Sequence, residues 1–192
     1  MRKLVIFMHT SLDGFVAGPN GEMDWINVDN EMFDHAGKQT DEADTALYGR
    51  VTYQMMDSYW PTAGDKPDAG KHDKEHSAWY NKVEKVVLSR TWKKEDHSNI
   101  TIISNNQLDA INKLKQATGK NIVVFGSPTA CHFLMAEDLV DDYWLFVNPI
   151  LLAEGIPLFK DIKEKRKLKF VASITFPSGV VCLHYEKIQS AG

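Results

Sequence analysis

The 192-residue sequence has two cysteines, Cys131 and Cys182, too few for a disulfide framework. Both lie in apolar segments, where a small buried thiol is the expected state. A reduced, cytoplasmic setting is therefore expected. A basic excess is also lacking, because 22 Lys and Arg against 26 Asp and Glu leave a net charge of −4. Nucleic-acid-binding domains ordinarily carry the opposite balance, so nucleic acid is not an expected partner. No apolar run approaches the roughly 20 residues that a membrane span needs. The run Leu4–Met8 is broken at once by His9 and Thr10, and it is too short for a signal peptide. Neither G-x-x-x-x-G-K-[ST] nor a helix-opening G-x-G-x-x-G occurs, and H-E-x-x-H is absent. His72 and His76 are four residues apart in a charged stretch, which reads as a solvated helix face, and no metal is expected.

What is present is ordinary globular material, 43% apolar and 25% charged. The length suits one domain over residues 1–192, and neither a repeat nor a linker divides it. Strand and helix patterns alternate. Leu4–His9, Phe15–Ala17, Thr45–Gly49, Lys85–Ser89, 100–104, Asn121–Phe125 and Tyr143–Ile150 read as strands. Helices are expected from Asp29, as N-cap, to about Ala43, then over Val51–Ser58 with Val51, Met55 and Met56 inward, Leu108–Ala117 and Pro128–Glu137. The polar stretch Pro61–His76 reads as a loop or lid leading into a helix near Ser77–Tyr80. Lys160–Lys169 reads as a solvated loop. Leu168–Phe176 and Gly179–Lys187 alternate as a closing hairpin. The pattern predicts a three-layer α/β domain, with a mostly parallel central sheet, helices on both faces and a C-terminal antiparallel hairpin.

In such a sheet, ligands bind outside the carboxyl ends of the strands, where helices begin. Three strand-to-helix junctions suit an anion. Gly49-Arg50-Val51-Thr52 offers a helix start, a guanidinium and a hydroxyl. Ser89-Arg90 offers a hydroxyl and a guanidinium suited to a phosphate monoester. Gly126-Ser127-Pro128-Thr129 allows close backbone approach and places Pro at the first helical position. Each alone fits an ordinary turn; three on one sheet suit a dinucleotide. A fourth, glycine-rich segment runs from Ser11 to Trp25 and reads either as a mobile active-site loop or as a turn at Asp13-Gly14.

These segments carry a resemblance: SLDGFVAG at 11–18, LYGRVTY at 47–53, YWP at 59–61, VVLSRTW at 86–92, VFGSP at 124–128, LVDDYWLFVNPILLAEGIPLF at 139–159 and the final hairpin. In that order they resemble the dihydrofolate-reductase-like superfamily. Within it they look closest to stand-alone relatives of the reductase domain of bifunctional riboflavin biosynthesis proteins. The resemblance implies NADPH as cofactor. Gly49, Arg50 and Thr52 would meet its adenosine and pyrophosphate, and Ser89 and Arg90 its 2′-phosphate. Gly126, Ser127, Pro128 and Thr129 would meet the pyrophosphate and nicotinamide ribose. His9, Val16 and Ala17 would frame the nicotinamide.

The same resemblance implies a small-molecule substrate and a homodimer, with the strand at 143–150 and the final hairpin as candidate interface. Tyr53 and Trp60 would line the substrate pocket, and Asp13 and Trp25 would stand near the reacting ring. The acidic residue of dihydrofolate reductases falls on Asn30 when Trp25 is matched to their loop tryptophan. Asp29, Glu31 and Asp34 reach it only in a shifted register, and they read as helix cap and first-turn acids, with Glu31 kept as a candidate acid. A lysine common in riboflavin reductases is Phe7 here. Asp138 and Ala153 stand where relatives often have glycine. The expected activity is NADPH-dependent hydride transfer to a heterocycle or a ribosylaminopyrimidine, as in 5-amino-6-(5-phosphoribosylamino)uracil reductase. Dihydrofolate reduction is the alternative within enzymes, and NADPH binding without catalysis the alternative outside them.

Overall fold

The computed structural model describes residues 1–92 and 100–188. Ten strands and five helices follow in the order β1 Leu4–Thr10, β2 Phe15–Ala17, α1 Asn30–Asp41, β3 Ala43–Gly49, α2 Arg50–Ala63, α3 Lys71–Lys82, β4 Glu84–Leu88, β5 Ile100–Ile103, α4 Gln107–Gln116, β6 Asn121–Val124, α5 Pro128–Ala136, β7 Asp142–Val147, β8 Ile156–Pro157, β9 Leu168–Thr175 and β10 Val181–Lys187. Eight strands form one sheet in the order β5-β4-β3-β6-β1-β7-β10-β9. Strands β5 to β7 in that row run parallel, and β10 and β9 close it antiparallel.

Alternation along β1 explains the layers. Leu4, Ile6 and Met8 join a core with Ile111 of α4 and Cys131, Leu134 and Met135 of α5. Phe7 faces the other way, into a core with Met32 of α1, Tyr53 of α2 and Tyr80 of α3. Helices therefore cover both faces, as expected for buried parallel strands. Both cysteines are buried and free. Among the described residues, no helix is long and apolar enough to cross a membrane.

Several expectations need correction. The segment 61–76 is mostly helix, not a lid. Helix α2 runs through Pro61 to Ala63, and α3 begins at Lys71. Pro61 lies in the last turn, where the loss of one backbone donor interrupts little of the ladder. The Asp73 carboxylate accepts the Gly70 amide at 2.9 Å and starts α3. His72 and His76 are not a solvated face. His72 stacks on Phe33 at 3.8 Å, and His76 packs on Trp60 at 4.2 Å. Val51 and Met55 point to solvent, 68% and 43% exposed, because Tyr53 takes the inward face of α2. A second, two-stranded sheet joins β2 to β8, which the sequence reading missed. Asp138 and Ala153 have φ of +56° and +65°, the left-handed region that favours glycine.

Asp29 caps α1 as expected. Its Oδ1 accepts the Met32 amide at 2.8 Å, and its Oδ2 accepts the Ser178 amide at 2.9 Å, tying α1 to the turn between β9 and β10. Asp29→Ala should lower stability by about 1–2 kcal/mol, the usual cost of losing such a cap. Urea unfolding of the variant beside the wild type checks this; an unchanged midpoint would show that neither bond matters.

Candidate functional site

Strands β3 and β6 are neighbours, and the chain leaves them in opposite directions. From β3 it passes through α2 and α3 to β4 on one side; from β6 it passes through α5 to β7 on the other. A reversal of this kind opens a crevice at the carboxyl edge of a sheet. Gly49 and Gly126 stand at its floor. The Gly49 amide donates to the Gly126 carbonyl at 3.0 Å. A Cβ on Gly49 would run into Ser127 Oγ and lie 2.9 Å from Ser127 Cβ. Gly126 has φ +114°, and a Cβ there would lie 3.3 Å from Thr52 Oγ1. The sequence motifs at 49–52 and 126–129 are thus one surface.

The two helices that start there are open at their N-termini. Neither Gly49 before α2 nor Ser127 before α5 makes a side-chain cap bond, and neither first turn holds an acid. Helix α1, by contrast, is capped by Asp29 and carries Glu31 in its first turn. Uncapped amides and two helix dipoles at one point favour a negatively charged group. Arg50 and Thr129 are exposed at the same two starts, with Pro128 at the first position of α5. This cradle fits a pyrophosphate. Ser89 is buried beyond β4, where its Oγ accepts the Trp92 amide at 3.0 Å. Arg90 is exposed and lines a cleft of about 490 Å³ with Ser104, Asn105, Gln107 and Phe133.

At the end of β1, His9 stacks on Phe146 at 5.1 Å. Burial lowers its pKa from 6.5 to about 4, so its imidazole is neutral near pH 7. Val16 and Ala17 are buried on β2. Asn148, which sequence reasoning did not single out, holds this corner together. Its side chain is fully buried. Its Oδ1 accepts the Asn27 amide at 2.8 Å, and its Nδ2 donates to the carbonyls of Phe146 and Thr10 and lies 3.3 Å from His9 Nδ1. The available signal was a lone polar residue directly after the apolar strand 143–147, before Pro149.

The candidate acids are all engaged or distant. Asp13 is exposed, and its carboxylate accepts the Ser11 hydroxyl at 2.6 Å and the amides of Leu152 and Ala153. These bonds, the Ser11 hydroxyl first, lower its pKa. That geometry suits an anchor for loop 148–155 better than a proton donor. Glu31 and Asn30 are exposed on the first turn of α1. Trp25 is half-buried, and its Nε1 donates to the Glu22 carbonyl at 3.0 Å. Tyr53 and Trp60 share α2 but turn apart. Tyr53 packs on Tyr48 and Trp92, whereas Trp60 packs on His72 and His76. His76 in turn approaches Phe125, the residue before Gly126, at 6.1 Å.

Comparison with known proteins shows the family and the fold. The family model described as the RibD C-terminal domain matches residues 2–182. The uncharacterised protein YyaP of Bacillus subtilis is 36% identical over 184 residues, 96% of this chain and 94% of its own. A solved structure from Shewanella sp. PV-4, named for riboflavin biosynthesis, superposes with a TM-score of 0.72 at 23% identity, covering 97% of this chain and 99% of that one. Dihydrofolate reductase from Enterococcus faecalis, complexed with NADP(H), superposes with a TM-score of 0.64 at 14% identity, covering 97% of each chain. At these identities the two structures establish a shared fold.

Two outcomes follow for the crevice. Gly49→Ala should destabilise the protein by about 1–3 kcal/mol through overpacking against Ser127. Adding Ser127→Gly, which removes the clashing atoms, should restore most of the loss in thermal unfolding; a double variant no better than the single one would refute the contact. The second outcome concerns pH. Burial lowers His76 to about 3, as it lowers His9 to about 4. Unfolded imidazoles take a proton below about 6.5, while the folded ones stay neutral to lower pH. Stability is therefore full above pH 6.5 and falls as pH drops toward 4. His76→Phe should flatten that fall in urea midpoints measured from pH 7 to 4, and an unchanged slope would count against the buried neutral state.

Proposed function

The chain belongs to the RibD C-terminal domain family, and from that membership we propose that it is an NADPH-dependent reductase. The observation that carries this reading is the pair of open helix N-termini, α2 and α5, meeting at the joined turns of Gly49 and Gly126. The amides there would bind the pyrophosphate, with Thr52 beside Gly126 as a further donor. Arg90, beside the cleft at the end of β4, would pair with the 2′-phosphate. His9, Val16 and Ala17 would wall the nicotinamide, and the neutral imidazole of His9 adds no charge to repel the cation formed on oxidation.

When bound, the cofactor supplies a hydride to an electron-poor C=N or C=O carbon, and the product needs one proton besides. The substrate class we propose is a flat heterocycle or a ring-opened ribosylaminopyrimidine, taken in between Phe125, α1 and α2. Asn30 in the place of an acid, with Asp29 committed to its cap, disfavours dihydrofolate as the substrate. The proton would then come from water admitted near Trp25, with Asp13 ordering the loop above it. A homodimer remains part of this proposal.

A stability titration with NADPH and NADH tests the cofactor. NADPH should raise the melting temperature, because a ligand of the folded state must stabilise it. Arg90→Ala should weaken NADPH by roughly tenfold or more and NADH little, since one charge-assisted phosphate contact is worth more than 1.4 kcal/mol. Equal weakening would remove Arg90 from phosphate recognition, and no stabilisation by either nucleotide would overturn the cofactor assignment. Loss of nicotinamide absorbance with a ribosylaminopyrimidine then tests turnover. Stabilisation without turnover would leave a nucleotide-binding protein.

A further inference from the structure

At the opposite edge of the sheet, far along the strands from the crevice, a second polar cluster is built by strand register. Asp142 opens β7 and pairs directly with Glu186 of β10. His184, two residues before Glu186, lies on the same face and stacks on Trp144 at 4.0 Å. Antiparallel pairing thus fixes a carboxylate, an imidazole and a second carboxylate on two hydrogen-bonded strands. One ligand atom from each lies within 4.8 Å of the others.

His184 is the telling member. The residue is only 9% exposed, and its Nε2 is buried without a hydrogen bond. A buried imidazole nitrogen with no hydrogen bond calls for a reason. It points at Asp142 Oδ2 from 3.8 Å, too far for a hydrogen bond. Two ligand atoms on a tetrahedral zinc, each about 2.0–2.2 Å from the ion, are roughly 3.4 Å apart. The gap is close to the width that one such ion would bridge. A cavity of about 330 Å³ opens beside it, lined by Asp142, His184 and Trp144 from the sheet, by Lys3 just before β1 and by Gln39 and Glu42 at the end of α1.

The site already attracts a cation. Lys3 Nζ donates to Asp142 and to Glu186, each at 3.0 Å. That ammonium rides on a flexible side chain that is 47% exposed, so it can swing into water. It satisfies the carboxylates and leaves His184 Nε2 without a hydrogen bond. An ion that takes nitrogen as well as oxygen ligands would satisfy all three.

We propose that Asp142, His184 and Glu186 bind a divalent transition-metal ion of the zinc type, which displaces the Lys3 ammonium and completes its shell with water. Such an ion would pin β7 to β10 and close the bottom of the α1 cavity. The site is independent of the proposed reductase activity, since it shares no residue with the crevice.

Zinc and cobalt titrations of the full chain, after chelator treatment, test it. Zinc in about 100-fold excess over its Kd should raise the melting temperature by roughly 5 °C, with one ion bound per chain. Cobalt should give the visible absorption of a low-coordinate nitrogen and oxygen site. Lys3→Met, which removes the competing ammonium, should tighten binding about tenfold, and His184→Ala should weaken it at least as much. Circular dichroism of each metal-free variant checks that it is folded. The proposal fails if Lys3→Met binds neither metal. It also fails if binding survives His184→Ala and is lost in His72→Ala, because the ion would then sit on the histidine pair of α3.

Discussion

One backbone hydrogen bond, from the Gly49 amide to the Gly126 carbonyl, joins the two halves of the crevice. It locks the end of β3 to the end of β6 where the chain turns away to opposite sides of the sheet. The contact demands two residues without side chains, because a Cβ on either would meet Ser127 or Thr52. With the turns locked, α2 and α5 start side by side on opposite faces, and their free amides converge. A chain of net charge −4 thereby acquires a local positive field at one edge, reinforced by Arg50 and Arg90. In the proposed reading, the anion would be held first by the placement of the backbone, and the arginines would add to it.

Asn148 plays the complementary part at the end of β1. A buried amide is costly unless its donors and acceptor are used. Here one side chain serves the Asn27 amide and two carbonyls and reaches the His9 ring. Asn148 thereby ties the loop before α1 to the sheet, beside the bonds that Asn27 and Asp29 make to Ser178. The Asp13 carboxylate makes a similar tie to the loop 148–155. These side-chain-to-backbone bonds add to the backbone bonds of Leu12 to Ile150 and of Leu158 to Gly14.

Much of this was legible in the chain. Leu4–His9 and Asn121–Phe125 read as buried parallel strands because they are short, apolar runs with no polar face, and so they are. The junctions at 49–52, 89–90 and 126–129 stood out because glycine, serine and arginine follow strands there. What the sequence hid has physical causes. Val51 and Met55 look inward by their chemistry, but Tyr53 buries more surface and sets the rotation of α2. His72 and His76 sit among charges in sequence, yet rings of Phe33 and Trp60 from two other helices enclose them. The pairing of β2 with β8 links segments about 140 residues apart by two short strands, too brief for any periodicity. The partnerships of Asn148 and His184 are equally non-local, and no spacing announces them.

The strand order also bears on how the chain is made. Strand β1 is nearly central, yet both its partners, β6 and β7, begin at Asn121 and Asp142. During synthesis at roughly 5–20 residues per second, β1 waits on the order of ten seconds for its first neighbour. Throughout that interval the apolar segment Leu4–Met8 lacks both of its neighbours, while α1, β3 and β4 emerge ahead of β6, the strand that will separate β3 from β1. The apolar segment that ends at the heart of the sheet is thus made first and paired late, so the fold closes around β1 only when β6 and β7 are in place.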